Sequence, residues 1–508
     1  MIEPVVKVKR AIYTGYLILP VAVLTAMAVL CAPSKVIAAL ALLPIMGLLY
    51  IGPSHFAKIV FLMIIITFPI TLQYSGRDAF STGTLLIFVT LVWAMTKYRI
   101  TVTIARDKFL FINLFLLSCV AFIGTVPNMF GEYWGPSVRH YLNFVSSIIV
   151  FILIVHSRQI PGTANGERDY IEKIINVLLL ITTIHVFLSL LLLHFPWTEK
   201  YFTIFFHRTR EHLGAYFVDG VYTRATTIFS SGEGFGELLV LLFPFSLYKF
   251  FVSKNKLFLL VVAFLFLGAI LSGTRSAFLL IVFQLLVFVC ILVARKYTIK
   301  RFAVAVCSTL ICVLVLSSFF HYSSILTDRF QLTLDQVRVT APDMTKPGAQ
   351  NRIKSKVPNQ VQSKVDIASI VNRQGIWTRA YDITTHTISL FGHGPIQAHK
   401  LGFQSKNFHC LYLSMLFQFG IVGTLFFVLF FYTIAKSLLK YVKRIKYNDT
   451  GYLLAATCLL SLLCFFINEI KFEFNRSDSY QQLVWIFFAV FYMTGQLWRN
   501  SGNETVTD

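Results

Sequence analysis

Apolar residues in this chain come in long unbroken blocks, not in the alternating or one-faced patterns of elements that meet water on one side. The blocks recur from Ala11 almost to the C-terminus. A bilayer core takes roughly 20 apolar residues per crossing helix, so each block predicts a membrane span. The spans start near Ala11, Val36, Lys58, Thr84, Phe109, Arg139, Ile171, Phe235, Leu257, Ser276, Phe302, Phe408, Gly451 and Gln481. The expected fold is an all-α polytopic membrane protein of about 14 transmembrane helices, one multi-pass domain over residues 1–508. Polar residues collect in two longer stretches, 195–234 and 321–407. In the second, Pro342 to Lys364 is rich in Pro, Lys, Gln, Ser and Asn, whereas Ile367 to Leu390 carries apolar spacing compatible with a helix.

Composition agrees with a lipid environment. Across 508 residues, 56% are hydrophobic and 13% charged, which excludes an ordinary soluble domain of this length. Lys7, Lys9 and Arg10 precede an apolar run from Ala11 to Ala32, too long for a cleaved signal peptide and suited to an uncleaved anchor. The net charge of +22 is unevenly spread. With the N-terminus inside, cytoplasmic segments hold 24 Lys and Arg, against six in the short external loops: Lys35, Arg77, Arg139, Arg275, Lys471 and Arg476. The positive-inside rule then places both termini in the cytoplasm and the two polar stretches outside. The expected surroundings of the charge are membrane lipids, with no nucleic acid partner. The eight cysteines fall almost all inside spans and read as small packing residues. No internal repeat supports an inverted-repeat transporter. The spans lack buried acids and lysines apart from His185, read as a packing residue, and Glu237, read as facing water near an external span end.

Four stretches, all external in this topology, present a cation or a histidine at a membrane boundary. Arg224 precedes Ile228-Phe229-Ser230-Ser231-Gly232-Glu233-Gly234-Phe235-Gly236-Glu237; Arg275 is the one charge in the tight turn Ser272-Gly273-Thr274-Arg275; Arg373 begins Arg373-Gln374-Gly375-Ile376-Trp377. A guanidinium there offers a two-pronged fork to phosphate oxygens. Arginine at such a boundary also anchors to lipid phosphate, and the residues alone leave both readings open. The fourth stretch is Asn407-Phe408-His409-Cys410, followed by Gly420 and Gly423. At 1.5 Å per residue a helix from His409 to Lys436 is about 40 Å long, enough to cross a bilayer, with His409 at its external mouth and the two glycines on one helical face. A histidine in that place also serves as a cap.

These strings resemble the O-antigen ligase and polymerase superfamily of bacterial inner-membrane enzymes. His409, Cys410, nine residues, Gly420, two residues, Gly423 is similar to that family's histidine motif, in which Asn, Ser or Gln is usual where Cys410 stands. Ser272-Gly273-Thr274-Arg275 resembles its Ser-Gly-Ser-Arg turn. Arg373 with Trp377, leading to Phe391-Gly392-His393-Gly394-Pro395, resembles its Arg-x-x-x-Trp and Gly-x-Gly-Pro segments. Arg224 with Phe229 and Gly234 resembles its first arginine segment, although Ser231-Gly232-Glu233 stands where Asn-Pro-Asn is common. The resemblance implies transfer of an undecaprenyl-diphosphate-linked glycan to an acceptor glycan or lipid A-core at the periplasmic face of the inner membrane, with inversion. Arg275, Arg373 and Arg224 would hold the diphosphate, His409 would be the base, and His393 is a rival for that role. No metal or other cofactor is expected: no paired carboxylate lies near Pro33 or Arg77, where only Asp78 stands. The histidine spacing leans toward ligase over polymerase. The alternative from another class is a lipid-linked oligosaccharide flippase, which would keep its cations inside a central cavity and has no need of the 321–407 loop; a generic solute transporter is third.

Overall fold

In a computed structural model the described residues are 107–130, 133–157, 167–194, 217–218, 221–222, 232–253, 255–294, 367–403, 408, 410–445, 450–470 and 478–497, with scattered positions between 84 and 95. Their helices are α1 Lys108–Met129, α2 Trp134–Ser157, α3 Glu167–His194, α4 Gly232–Val252, α5 Leu257–Leu271, α6 Arg275–Ala294, α7 Ile367–Thr387, α8 Leu411–Arg444, α9 Thr450–Asn468 and α10 Asp478–Gln496. A short 3-10 turn covers Ala398–Leu401. Among the described residues the strands are an antiparallel pair of two residues each, β1 Phe217–Val218 and β2 Val221–Tyr222, joined in sequence by Asp219-Gly220, a dipeptide that tight hairpins favour.

Among the described residues seven helices, α1, α2, α3, α4, α6, α8 and α9, are long and apolar enough to cross a membrane. The expected span near Leu257 is shorter than anticipated: α5 has 15 residues and closes where the Ser272 and Gly273 backbone N–H groups donate back to Gly268 and Ile270. The spans expected near Ala11, Val36, Lys58 and Phe302 lie outside the described residues. The helix expected within Ile367 to Leu390 is present as α7.

The core forms where aromatic side chains of α2, α8 and α10 interlock. Trp485 lies edge-on to Phe144 and Phe151, with ring centroids 6.4 and 6.1 Å away, and 5.2 Å from Phe430. The phenylalanine rings among them fill the space between helices without polar atoms that would need partners in lipid. Helix α4 is apolar around its whole circumference and is accordingly the most enclosed of the seven. Peripheral helices keep one apolar face outward. On α8 that face is the stripe Ile421, Leu425, Val428 and Tyr432, all exposed, whose spacing of three and four residues suits contact with lipid tails.

Helix α4 also contains Pro244. Proline has no N–H, so the carbonyl four residues earlier loses its helical donor. That carbonyl belongs to Val240, and the Gln284 side-chain amide of α6 donates to it at 2.9 Å. The adjacent carbonyl of Leu241 accepts from the Ser461 hydroxyl of α9 at 2.8 Å. Polar side chains from two neighbours thus satisfy backbone groups in the most enclosed helix, where water does not compete.

Candidate active site

The motif-bearing segments among the described residues gather at one end of the bundle, and the local backbone explains how. Helix α8 is not continuous. Gly420 has φ 64° and ψ −168°, outside the helical region, which splits α8 into a short leg from Leu411 and a longer one beginning at Ile421. This corrects the expectation of one unbroken helix with Gly420 and Gly423 on a common face. A break leaves the first N–H groups of the second leg without helical acceptors. Ile421 and Val422 donate instead to the carbonyls of Ser389 and Leu390, at 3.2 and 3.1 Å. The segment after α7 is therefore inserted into the break. Gly423 serves a different neighbour: a Cβ there would sit 3.0 Å from Val120 of α1.

The insertion needs glycine at both contacting positions. Gly392 has φ 69°, and a Cβ on it would fall on the Gln418 carbonyl and the Gly420 nitrogen. Gly394, with φ 80°, lies against Thr125 of α1, while a Cβ on Gly124 would sit 2.6 Å from the Phe391 oxygen. The Asn128 side-chain amide donates to the His393 carbonyl at 2.8 Å, and that of Gln418 to the Ile396 carbonyl at 3.3 Å. The Gly-His-Gly-Pro string is thus the point where α1, α8 and the segment after α7 meet, α8 through backbone hydrogen bonds and α1 through glycine contacts and the Asn128 side chain.

Around this junction lies a second, small apolar cluster distinct from the main core. It comprises Ala380 of α7, Ala398 of the 3-10 turn, Phe408 and Phe417, with Ile383, Leu401, Phe403 and Leu413 packed against it. Phe417 meets Phe408 edge-on at 5.2 Å and Phe403 at 5.6 Å. Helix α7, which carries Arg373, and Phe408, which precedes residue 409, therefore belong to one packed unit.

The Ser272-Gly273-Thr274 turn is brought to the same end by α4. A Cβ on Gly236 would sit 3.0 Å from the Ser272 hydroxyl and from Thr274 Cβ, so the turn rests directly on that glycine. Arg275 opens α6, whose N-terminus adds partial positive charge from its unpaired N–H groups. Next to Gly236, Glu237 is 1% exposed and does not face water as expected. The buried Tyr480 side chain lies beside it and beside Glu469, which is fully buried. The Glu469 carbonyl in turn accepts from the Leu411 N–H at 2.9 Å, two residues after position 409. A continuous path of contacts thus runs from the 272–274 turn to the flank of residue 409.

Of the residues expected from sequence, Arg275 and Arg373 are placed by their backbones, at the start of α6 and within α7, while His409 and Arg224 lie outside the described residues. His393 is placed in full: its ring stacks on Phe417 with centroids 4.5 Å apart. His185, read as a packing residue, is buried in α3. Glu469 and Tyr480 were not singled out from sequence. The available signal was an acid at the end of an apolar block, which is costly at a membrane boundary unless something there uses it.

Residues 258–428 match the family model described as O-antigen ligase. The matched stretch runs from α5 into the second leg of α8 and contains Arg275, Arg373, the Gly392–Pro395 string, His409, Gly420 and Gly423; Arg224 precedes it. The match supports the O-antigen ligase and polymerase superfamily and, with it, a multi-pass membrane protein of the glycan-transfer type. No curated protein matches the chain.

Proposed function

We propose that this chain moves a glycan from an undecaprenyl diphosphate carrier onto an acceptor hydroxyl at the periplasmic face of the bacterial inner membrane, without a metal ion and with inversion at the anomeric carbon. The observation that carries the reading is the insertion of Ser389–Gly394 into the break at Gly420. It joins the unit bearing Arg373 to the one flanking residue 409, within the stretch matched by the O-antigen ligase family. The end holding this junction faces the periplasm, and residues 195–234 and 321–407 are its two long external segments.

In this reading Arg275 and Arg373, joined by Arg224, grip the diphosphate. Negative charge grows on the diphosphate as the bond to the anomeric carbon breaks, and cations already in place stabilise that charge as it develops. The N-terminus of α6 adds to the field at Arg275. His409 takes the proton from the acceptor hydroxyl while its oxygen attacks the anomeric carbon. The new glycosidic bond replaces the bond to phosphate, and the lipid diphosphate leaves with the electron pair. Neighbouring guanidinium groups disfavour a charged imidazole and keep the base ready to accept a proton.

The acceptor is lipid A-core in a ligase or a further carrier-linked repeat in a polymerase, and the histidine spacing favours ligase. Banding of surface polysaccharide in a deletion strain tests this directly. Loss of the whole lipid-linked ladder, with polymer still on its carrier at the outer leaflet, is the expected result. A single repeat on the core would mean polymerase, and carrier-linked glycan retained on the cytoplasmic leaflet would replace transfer with flipping.

A further inference from the structure

His393 is a second imidazole at this end of the bundle, left without a role when proton abstraction is given to His409. Two hydrogen bonds hold it. Its backbone N–H donates to the Phe417 carbonyl at 3.0 Å, and its ring Nδ1 lies 3.1 Å from the same oxygen. A carbonyl oxygen has two lone pairs and no proton, so it accepts from both and Nδ1 must carry the hydrogen. In the neutral ring this leaves Nε2 unprotonated, an acceptor with its lone pair pointing away from Phe417. Stacking against Phe417 at an interplanar angle of 10° and the edge contact with Phe403 at 6.4 Å hold the ring plane. The ring is partly exposed, and no described residue is bonded to Nε2. Phe417, on which it stacks, packs in turn on Phe408, the residue before His409.

We infer that His393 is a sugar-binding residue whose Nε2 accepts a hydrogen bond from a glycan hydroxyl close to the reacting centre. The inference rests on the glycan-transfer reading. An imidazole held by a carbonyl on one nitrogen presents the other in a single direction, and this preorganisation suits recognition of one hydroxyl among many. Because Nδ1 is occupied as a donor, the ring selects partners that donate, such as a sugar O–H, over anionic phosphate oxygens. The hydroxyl belongs to the acceptor or to the sugar on the carrier, and the two are separable by kinetics.

Two substitutions divide the ring's functions. His393→Asn keeps an N–H near the Nδ1 position, and with it the bond to Phe417, but has nothing at Nε2. His393→Gln reaches the Nε2 position with an amide oxygen that can accept, and gives up the bond to Phe417. The full chain in lipid nanodiscs is assayed with undecaprenyl-diphosphate-linked glycan and the hydroxyl-bearing acceptor isolated from the host, varying each in turn. His393→Asn is expected to raise the KM of one substrate roughly three- to tenfold, the scale of one hydrogen bond, with kcat little changed. His393→Gln, although less stable to heat, is expected to stay closer to the parent KM. A rise for the acceptor identifies an acceptor hydroxyl, and a rise for the carrier substrate identifies the donor sugar. An Asn variant with parental KM for both substrates overturns the inference, as does a fall in kcat alone in either variant. Failure of the parent chain to transfer any glycan would instead defeat the transfer reading itself.

Discussion

The two ends of the bundle are held together by different means. At one end α3, α4 and α9 are joined by side chains. The Glu172 carboxylate receives Lys249 at 2.9 Å, the Tyr248 hydroxyl at 3.0 Å and Arg168 at 3.2 Å, and Arg168 reaches on to the Thr450 hydroxyl. At the other end the segment after α7 joins α8 through backbone hydrogen bonds and meets α1 through close glycine contacts, with the Asn128 and Gln418 side chains adding to the join. Side chains adjust by changing rotamer, so a charged cluster tolerates small shifts of its helices. A backbone inserted into a helix break has no such slack. This join lies in the stretch that carries Arg373 and flanks residue 409, and the proposed transfer would need such rigidity, because its cations and base must already stand where charge and proton will move.

The comparison breaks most sharply at His409. Replacement by Ala removes the proposed base and leaves both joins untouched, so glycan transfer by purified protein should fall by roughly two to four orders of magnitude. The melting temperature should stay within a degree or two of the parent. A variant that transferred at the parental rate would end the assignment of the base.

Gly392→Ala comes next and tests the backbone join itself. The added methyl falls on the Gln418 carbonyl, at a φ of 69° that alanine avoids. Strain and clash together should cost about 3 kcal/mol. Thermal unfolding and transfer should both fall. Gly402→Ala is the control: its φ is 83°, but the nearest atom to the added methyl is the Tyr133 hydroxyl at 3.1 Å. It should lose only about 1 kcal/mol of stability and keep its transfer rate.

How much of this was legible in the chain differs between the two ends. The apolar blocks foretold the helices, because a helix that must satisfy its own backbone in lipid announces itself by length and composition. The apolar spacing after Ile367 foretold α7, and Gly392, Gly394 and Gly420 were all noticed as motif letters. Their geometry was hidden: a helical glycine at a close approach and a glycine that ends a helix look alike in sequence, and only the carbonyls of Ser389 and Leu390 distinguish them. Glu237 was misplaced because position along a span fixes depth but not which side of the helix meets its neighbours. Tyr480 and Glu469, two further polar side chains at its site, come from chain segments more than two hundred residues away. The charged cluster was not singled out from sequence: only Arg168 and Glu172 are near neighbours in the chain, and Lys249 and Thr450 reach them from other helices.

Lys249→Met sharpens the comparison from the opposite side. Lys249 is 4% exposed, and its loss leaves the Glu172 carboxylate short of its closest cation. Arg168 and the Tyr248 hydroxyl still meet that carboxylate, so the loss of one charged hydrogen bond should cost about 2 kcal/mol, seen as a lower melting temperature in detergent. Combining it with Glu172→Gln should deepen the loss, because Arg168 is then left without its carboxylate partner. Transfer per folded molecule should match the parent in both variants. A fall in kcat comparable to that of Gly392→Ala would mean that the two ends do not divide stability from chemistry.

The smallest effect expected lies between the two ends, at Pro244. Gln284→Leu keeps the apolar contact but strands the Val240 carbonyl that Pro244 deprives of its helical donor. One unsatisfied carbonyl in a dry interior should cost about 1 to 2 kcal/mol. In a Pro244→Ala background the residue at 244 has an N–H, the helix can supply its own donor to Val240, and the same Gln284→Leu change should then cost less than half as much. Thermal unfolding of the four proteins completes the cycle and isolates the coupling between the two positions. Equal losses in both backgrounds would show that Gln284 stabilises α6 against α4 by shape alone, and that the most enclosed helix tolerates its proline by some means other than a donated side-chain N–H.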